Sequence, residues 1–377
     1  MPVLRSTPAA DGFRMPAEFE PHAACWMAWP ERPDNWRAGA APAQEAYAAV
    51  ARAIAVTEPV AMAASAASFD GAARALGRDA RIAGVPSNDA WMRDIGPTFV
   101  VDDTGGIRGV DWQFNAWGGL RGGLYADWEA DDAVATAVCV LEGCERYRAP
   151  LVLEGGAIHV DGEGTLLTTE ECLLNINRNP SLTRQEVEAH LRAYTGADTI
   201  IWLERGVVGD ETDGHVDNLC CFAEPGVVLL TWTDDRSDPQ YERSCAARRV
   251  LEATRDARGR RLDVRPIRQP GPLHATDSEA EGVSRTRGTK PRRPGARLAG
   301  SYVNSYPANG RVVVPMLDPS TDEDALELLA SLYPGREVVG VAGREIVLGG
   351  GGVHCITQPV PAGEPVVDTA PVPWAAR

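Results

Sequence analysis

The feature that constrains the fold most is a unit of secondary structure that recurs along the 377 residues. Each copy has the order strand, turn, strand, helix, strand, and the clearest copy comprises the segments 151–153, 158–160, 165–168, 183–196 and 199–203. Its helix begins at Thr183, whose spacing to Glu186 is that of a capping box, and it ends at Gly196. Alternating apolar residues and an Asp-Gly-Glu-Gly turn predict the two strands before it.

Four further copies follow the same order. Their strands and helices are predicted at 25–29, 47–54 and 60–64; at 98–101, 107–114 and 132–141; at 216–222, 227–232, 238–257 and 262–267; and at 301–306, 311–315, 322–333 and 337–341. Units that repeat at a period of roughly 75 residues predict a stacked or radial α/β architecture. The segment around Cys355 would supply the strand that the first copy lacks and would close a ring. An ordinary mixed α/β sheet is the alternative.

One domain is expected over residues 1–377, with a central cavity where the units meet. Residues 277–297 are rich in charge, glycine and proline, and they predict an irregular surface insertion.

The charge of the chain restricts its partners. A net charge of −16, from 53 acidic and 37 basic residues, argues against nucleic acid and anionic membranes and mildly favours a cationic ligand. No run approaches the ~20 apolar residues of a membrane span, and the N-terminal residues lack a signal-peptide core. The eight cysteines are dispersed without a CxxC pair, which favours the reducing cytoplasm. The six histidines show no zinc-ligand spacing with them, so no metal and no cofactor are expected.

Four consecutive glycines, 349–352, separate the apolar run 345–348 from Cys355. Glycines in such a row cost backbone entropy, so they indicate unusual dihedral angles or a close approach by another group. The run 345–348 reads as a strand, and the loop would present the thiol to a small molecule. A glycine-rich turn before a buried structural cysteine is the alternative.

Polar residues that interrupt apolar segments complete a set suited to nucleophilic catalysis. Glu154 ends a predicted strand, Asp94 lies in the segment 88–97, and His215 and Asp217 would share one face of a strand. A thiol needs a neighbouring cation to become a thiolate, and a histidine can serve as acid and then base. Three carboxylates are more than a Cys–His pair needs for its orientation. They suit a guanidinium, whose N–H donors can bind a carboxylate bidentately.

Each of these residues also has a structural explanation. Asp94 could cap a helix or pair with Arg93, Glu154 could accept from amides of the glycine turn, and His215 could be a buried core histidine. Structural roles for the whole set at once are the weaker explanation.

Several segments resemble the agmatine deiminases, a family of the guanidino-group-modifying superfamily whose fold is a five-bladed α/β propeller (pentein). The resemblance covers nearly the whole chain and includes the segments 15–22, 26–30, 88–100, 154–165, 177–180, 214–218 and 349–358. It implies Cys355 as the nucleophile, His215 as the general acid and base, and Glu154 as a further catalytic residue that helps to hold a guanidinium. The residues implied to bind the substrate are Asp94, Asp217 and Trp91.

This sequence departs from the family pattern at a few positions. The family usually has Asn where Gly352 stands and often Asn or Ser where Asp213 stands, and the end of the segment 302–306 is atypical. The first change could loosen the nucleophile loop, and the second adds a negative charge close to His215.

The resemblance implies a cytoplasmic hydrolase that converts agmatine to N-carbamoylputrescine without metal or cofactor, and a homo-oligomer is expected. A deiminase of free or C-terminal peptidyl arginine, a Cys–His peptidase or amidase, and a non-catalytic pentein that serves as a binding module are the rival interpretations. An arginine substrate would require an added cation in the pocket to meet its carboxylate.

Overall fold

The computed structural model describes residues 3–366, and the strands within them form five separate sheets. The strands are β1 (Val3–Leu4), β2 (His22–Ala28), β3 (Val60–Ala64), β4 (Arg81–Gly84), β5 (Thr98–Val101), β6 (Gly106–Gln113), β7 (Arg146–Val152), β8 (Ile158–Val160), β9 (Thr165–Thr169), β10 (Thr199–Leu203), β11 (Cys220–Glu224), β12 (Val227–Trp232), β13 (Asp263–Arg268), β14 (Tyr306–Pro307), β15 (Arg311–Met316), β16 (Glu337–Ala342), β17 (Gln358–Pro361) and β18 (Glu364–Pro365). The ends of the predicted 1–377 domain, residues 1–2 and 367–377, lie outside the described residues.

Helices connect most of these strands. The α-helices are α1 (Ala41–Ala55), α2 (Phe69–Leu76), α3 (Met92–Ile95), α4 (Gly119–Gly122), α5 (Glu129–Leu141), α6 (Glu170–Leu173), α7 (Arg184–Thr195), α8 (Val216–Leu219), α9 (Pro239–Ala253), α10 (Asp277–Glu281), α11 (Asp322–Leu332) and α12 (Arg344–Gly349). Short 3₁₀ helices occupy Ala9–Asp11, Arg37–Ala40 and Gly155–Ala157. Within the described range, no helix combines the length and the hydrophobicity needed to cross a bilayer.

The predicted unit is present in each sheet. In the sheet of the clearest copy, β8 pairs antiparallel with β9, and β9 pairs parallel with β10 through the crossover helix α7. The segment 151–153 was expected in this copy, but residues 151–152 belong to β7, which pairs with β6 in another sheet. The same antiparallel-then-parallel order recurs in the sheets β5–β6–β7, β11–β12–β13 and β14–β15–β16. In the first copy β2 and β3 are parallel, and the antiparallel partner is β17, which places Gln358 opposite Trp26. The prediction that a C-terminal strand completes the first sheet is confirmed.

Local sequence signals explain why α7 starts and stops where it does. The Thr183 hydroxyl accepts from the Glu186 amide, and the Glu186 carboxylate accepts from the Thr183 amide over 2.7 Å, which is the predicted capping box. Val187 and Leu191 face the core, and Gly196 ends the helix with a φ of 72°. Buried apolar residues of this kind form the hydrophobic clusters between the helices and the sheets.

Three predicted strands are wrong. Residues 216–219 form α8, because Asp210 accepts from the His215 amide and from Asn218 and so turns the chain before β11 begins at Cys220. The apolar run 345–348 lies in α12, since so short a run does not distinguish a strand from a buried helix. Of residues 301–306, only Tyr306 belongs to a strand.

The 277–297 insertion packs against the rest of the protein, although most of its side chains are exposed. The Ser284 amide donates to the carbonyl of Pro33 over 2.9 Å, and the Lys290 amide donates to the carbonyl of Leu124 over 2.8 Å. Arg292 forms an ion pair with Glu211 and also donates to the Gly349 carbonyl. The insertion is therefore connected to the start of the tetraglycine loop.

Candidate active site

The sequence-predicted residues converge on one small cavity. Its walls consist of Trp91, Asp94, Trp117, Leu124, Thr212, His215, Asn218, Gly349, Gly350, Gly351 and Cys355. Glu154 and Asp217 lie directly behind this wall, in contact with His215 and Cys355 respectively. The structure thus brings together every residue that the resemblance placed in the site.

The Cys355 side chain is 5% exposed, in the turn between α12 and β17. Its Sγ lies 3.2 Å from Nδ2 of Asn304 and 3.4 Å from Oδ2 of Asp217. Burial, reinforced by the charges of Asp217 and Asp94, raises the pKa of this thiol well above its ordinary value. The thiol is therefore protonated at neutral pH unless a cation enters the site.

The tetraglycine loop needs its glycines for space. A Cβ on Gly351 would lie 2.6 Å from the ring of Trp91 and 3.0 Å from Sγ of Cys355. A Cβ on Gly352 would collide with Oδ1 of Asn304. In this structure the departure from the family pattern at Gly352 therefore leaves room for Asn304, which contacts Cys355.

His215 is 1% exposed and stands at the start of α8. Its Nε2 lies 3.4 Å from Oε2 of Glu154, and its Nδ1 lies 3.9 Å from Oδ1 of Asp94. Burial opposes a positive charge here, but Asp94, Cys172 and Glu154 outweigh it and raise the pKa of His215. The predicted shared strand face of His215 and Asp217 is wrong, since Asp217 lies in α8, yet both residues reach the site.

Asp94 lies in α3 and faces the cavity. Its Oδ1 accepts from the Gly156 amide and its Oδ2 from the Trp117 indole, each over 2.9 Å. Burial, reinforced by Asp217 and Glu154, raises the pKa of Asp94 to about 6. Arg93 binds Glu18 instead of Asp94, so the expected alternative pairing is absent. Glu154 was the alternative acceptor for an amide of the glycine turn, but it is Asp94 that accepts from the Gly156 amide.

Arg178 is the most important residue that the sequence interpretation missed. Its Nε donates to Oε1 of Glu154 over 2.7 Å, and its NH1 donates to Oδ2 of Asp213 over 2.9 Å. Although burial acts in the opposite direction, this guanidinium, together with His215, lowers the pKa of Glu154 to about 2. The charge of Asp213, which departs from the family pattern, is thereby compensated. The segment 177–180 belonged to the resemblance, and this was the one available signal.

Two more side chains that the sequence did not single out contact Cys355 or Asp217. Asn304 accepts at Oδ1 from the amide of His354 over 2.9 Å and donates to Sγ of Cys355. The imidazole of His354 contacts Asp217, with Nδ1 2.8 Å from Oδ2. His354 directly precedes Cys355 in the sequence, whereas Asn304 stands at no recognisable spacing from it.

Trp91 forms one side of the cavity, as the resemblance implied. Its indole donates to Oδ2 of Asp89 over 3.0 Å, and its ring packs on Trp36 at a centroid distance of 5.2 Å. The ring is thus held rigidly next to the tetraglycine loop.

Two groups of side chains in the described part of the chain are close enough together to bind a metal. They are Glu18, His159 and His354, and Glu154, Cys172 and His215. In each group an arginine already binds the carboxylate: Arg93 binds Glu18, and Arg178 binds Glu154. A guanidinium already offsets the charge of each carboxylate, so the arrangement suits hydrogen-bonded charge networks better than metal centres.

Comparison with known proteins shows to which family this chain belongs. Residues 14–361 match the model of the Porphyromonas-type peptidyl-arginine deiminase family. The chain belongs to this family, and the match extends over nearly all of the described residues.

Comparison with individual proteins shows which enzymes of the family the chain is similar to. The chain is 58% identical over 359 residues to the agmatine deiminase of Pseudomonas aeruginosa, covering 95% of this chain and 98% of that protein. It is 56% identical over 364 residues to the agmatine deiminase of Ectopseudomonas mendocina, covering 96% and 99%. The solved agmatine deiminase of Enterococcus faecalis is 44% identical, with a TM-score of 0.93 and coverage of 96% and 99%. The α/β fold is that of these enzymes, and the resemblance stated from the sequence is confirmed.

Proposed function

We propose that this protein hydrolyses agmatine to N-carbamoylputrescine and ammonia, a step toward putrescine. The observation that carries the proposal is that Cys355, His215 and Asp94 line one cavity, backed by Glu154 and Asp217. Relatives that are 56% and 58% identical over nearly their whole length are agmatine deiminases.

Binding of the guanidinium would be the work of the carboxylates. Asp94 presents a carboxylate in the cavity, and Oδ1 of Asp217 is buried and has no hydrogen-bond partner among the described residues. A buried oxygen without a partner is costly, and an N–H of the substrate would satisfy it. The bound cation would also offset the negative charges that keep the Cys355 thiol protonated, so that the thiol proton leaves to solvent.

The chemistry then takes two displacement steps at the central guanidino carbon. The Cys355 thiolate adds to that carbon, and the His215 imidazolium gives its proton to an amino group, which leaves as ammonia. An amidino-thioether on Cys355 remains. Neutral His215 next takes a proton from water, and the resulting hydroxide adds to the same carbon. The C–S bond then breaks, the hydroxyl proton passes to the departing thiolate, and N-carbamoylputrescine is released. Glu154, bound to Nε2 of His215, orients the imidazole through both transfers.

The choice of agmatine over arginine follows from the charges of the cavity wall. The lining residues, all within the described range, include no lysine or arginine. The α-carboxylate of arginine would therefore enter a desolvated site without a cation to meet it, whereas the amine of agmatine would not. An unpaired charge of this kind costs several kcal/mol, which corresponds to at least a ~100-fold preference in kcat/KM.

The arrangement of the chain is part of the same proposal. We propose a single catalytic domain in which the five sheets surround a pseudo-fivefold axis as a five-bladed α/β propeller. The recurrence of one pairing order in all five sheets supports this, as does the pairing of β17 with β2.

Eight free cysteines fit a cytoplasmic enzyme. A homo-oligomer would cover exposed apolar side chains such as Leu120 and Ile176, which are 83% and 68% exposed.

The experiment that tests the function is ammonia release from agmatine, free arginine and a peptide ending in arginine at equal concentrations. Turnover of agmatine with the stated preference supports the proposal. Equal or better turnover of either arginine substrate would instead establish an arginine deiminase. Release from none of them, with Cys355 intact, would favour a non-catalytic binding module.

A further inference from the structure

A second buried histidine lies directly behind the nucleophile. His354 is 3% exposed and precedes Cys355 in the chain. Its Nδ1 lies 2.8 Å from Oδ2 of Asp217, and its Nε2 lies 2.7 Å from Oε1 of Glu18. Both ring nitrogens thus face a carboxylate.

A neutral imidazole cannot satisfy this geometry. It carries one N–H, so one of its nitrogens would direct a lone pair at a carboxylate oxygen unless that carboxyl were protonated. An imidazolium donates from both nitrogens, and hydrogen bonds between charged partners are the strong ones. We infer that His354 is held as an imidazolium between Asp217 and Glu18 and acts as a positioning residue for Asp217. This inference rests on the proposed function for the role of Asp217 toward a guanidinium.

The groups around His354 are consistent with this charge state. Asp217 approaches from α8 and Glu18 from the N-terminal segment, whereas Arg93 of α3 binds Glu18 and donates from Nε to the His354 carbonyl over 3.4 Å. The Cys355 thiol shares Oδ2 of Asp217 with His354, and His159 of β8 is a further titratable neighbour, at a ring-centroid distance of 6.2 Å. Burial lowers the pKa of His159 to about 4, so it is neutral at neutral pH and adds no competing charge.

The groups around His354 have opposing effects on its pKa. Burial and Arg93 disfavour its positive charge, but Glu18 and Asp217 outweigh them and raise its pKa. In return, despite the cost of burial, the hydrogen bond from His354 lowers the pKa of Asp217. Asp217 therefore stays ionised in a site where Asp94 does not easily do so.

The position of the bond on Asp217 has a further consequence. Oδ2 is shared between Nδ1 of His354 and Sγ of Cys355, whereas Oδ1 has no partner in the described part of the chain. His354 thus fixes the rotation of the carboxylate, so that one oxygen contacts the nucleophile and the other remains free for the substrate. His354 never needs to touch the substrate itself.

The test in solution compares His354→Gln with a matched control, His159→Gln. Both substitutions replace a buried imidazole in the same region, but only His354→Gln removes a positive charge next to Asp217. We expect His354→Gln to make the acid limb of the kcat/KM profile steeper and to move it upward, because buried Asp217, without the imidazolium, then protonates in the same pH range as Asp94. Its activity relative to wild type should consequently fall by about ten-fold more at pH 5 than at pH 8.5. His159→Gln should keep the wild-type position of that limb.

An unchanged profile in His354→Gln would overturn the inference, as would an equal shift in His159→Gln. A uniform loss at all pH values would indicate a purely structural role and would also overturn it. Should agmatine and the arginine substrates all fail as substrates, the proposed function fails, and the charge state of His354 is tested by a second measurement.

That measurement is a neutron structure of the unmodified protein at neutral pH, which needs neither a folded variant nor turnover. Deuterium on both Nδ1 and Nε2 of His354 supports the inference. A bare ring nitrogen, with the shared proton located on Asp217 or Glu18, would contradict it.

Discussion

Arg178 and Glu154 form a fully buried ion pair, in which Nε of the arginine donates to Oε1 of the carboxylate over 2.7 Å. The pair stands immediately behind His215, since the other carboxylate oxygen lies 3.4 Å from its Nε2. Arg178, together with His215, thus keeps ionised the carboxylate that contacts the proposed general acid and base, His215.

Replacing Arg178 by Met should remove the nearer charged partner of buried Glu154. Removing one partner of such a pair typically costs about 3–5 kcal/mol, so we expect a loss of this size in the free energy of unfolding, measured by urea denaturation. Arg265→Met provides the control, because its ion pair with Asp263 is half exposed and should contribute at most about 1 kcal/mol. Equal effects of the two substitutions would mean that Arg178 does not hold a buried charge.

Cys355→Ser should abolish turnover of agmatine while the fold remains intact. A serine hydroxyl is almost entirely protonated at neutral pH, and a bound cation cannot activate it as it activates a thiol. Mass spectrometry of the wild-type enzyme, quenched during turnover, should find the amidino adduct on Cys355. Cys245→Ser is the matched control, since Cys245 is the one free cysteine in the described residues that is not buried. Retained activity in Cys355→Ser, with the adduct on another cysteine, would refute the assignment.

The kcat/KM of the free enzyme should decline in acid near pH 6. The pKa of Asp94 is raised to about 6 by burial and by Asp217 and Glu154, and its charged form is the one that can hold a guanidinium. The sign for stability is opposite: a raised carboxyl pKa contributes stability in acid and loses that contribution as the pH rises through about 6. Asp94→Asn should accordingly lose about 2–5 kcal/mol of transition-state stabilisation. A wild-type profile that stays flat down to pH 4.5 would be incompatible with this role.

Gly351→Ala should lower kcat strongly. The added Cβ would lie 2.6 Å from the Trp91 ring and 3.0 Å from Sγ of Cys355, so either the loop or the nucleophile must move. A displacement near 1 Å at a reacting group can cost about 100-fold in rate. Gly71→Ala in α2 is the control, because nothing lies within 4 Å of its added Cβ and alanine favours a helix. Comparable loss of kcat in both variants would exclude a specific effect at Gly351.

Most of the elements could be predicted because their signals are local. The period of apolar residues, the capping box at Thr183 and the turn glycines each act within a few residues, and the resulting helices and strands are found where expected. Residues 216–219 form a helix instead of the expected strand because the Asp210 side chain, which lies outside that segment, decides the local backbone through its hydrogen bonds. Short apolar runs such as 345–348 carry no period that separates helix from strand.

The residues of the candidate site likewise fall into those that the sequence signals and those that it does not. Residues that face the cavity could be found because their chemistry is unusual within apolar segments and because the family pattern includes them. The roles of Arg178, Asn304 and His354 could not, although the family segments include Arg178 and His354. Each acts through contacts with residues far along the chain, such as Asn304 and Cys355, which are 51 positions apart. Which buried polar group meets which is decided by the packing of the sheets.

The contact of Arg292 with the Gly349 carbonyl makes the insertion and the nucleophile loop mechanically dependent on each other. Segments joined by such bonds open as one cooperative unit when a protein unfolds locally. Because Gly349, Gly350 and Gly351 line the cavity, a local opening of the insertion would be transmitted to the wall of the candidate site. The insertion thus helps to keep that wall in place from outside the cavity.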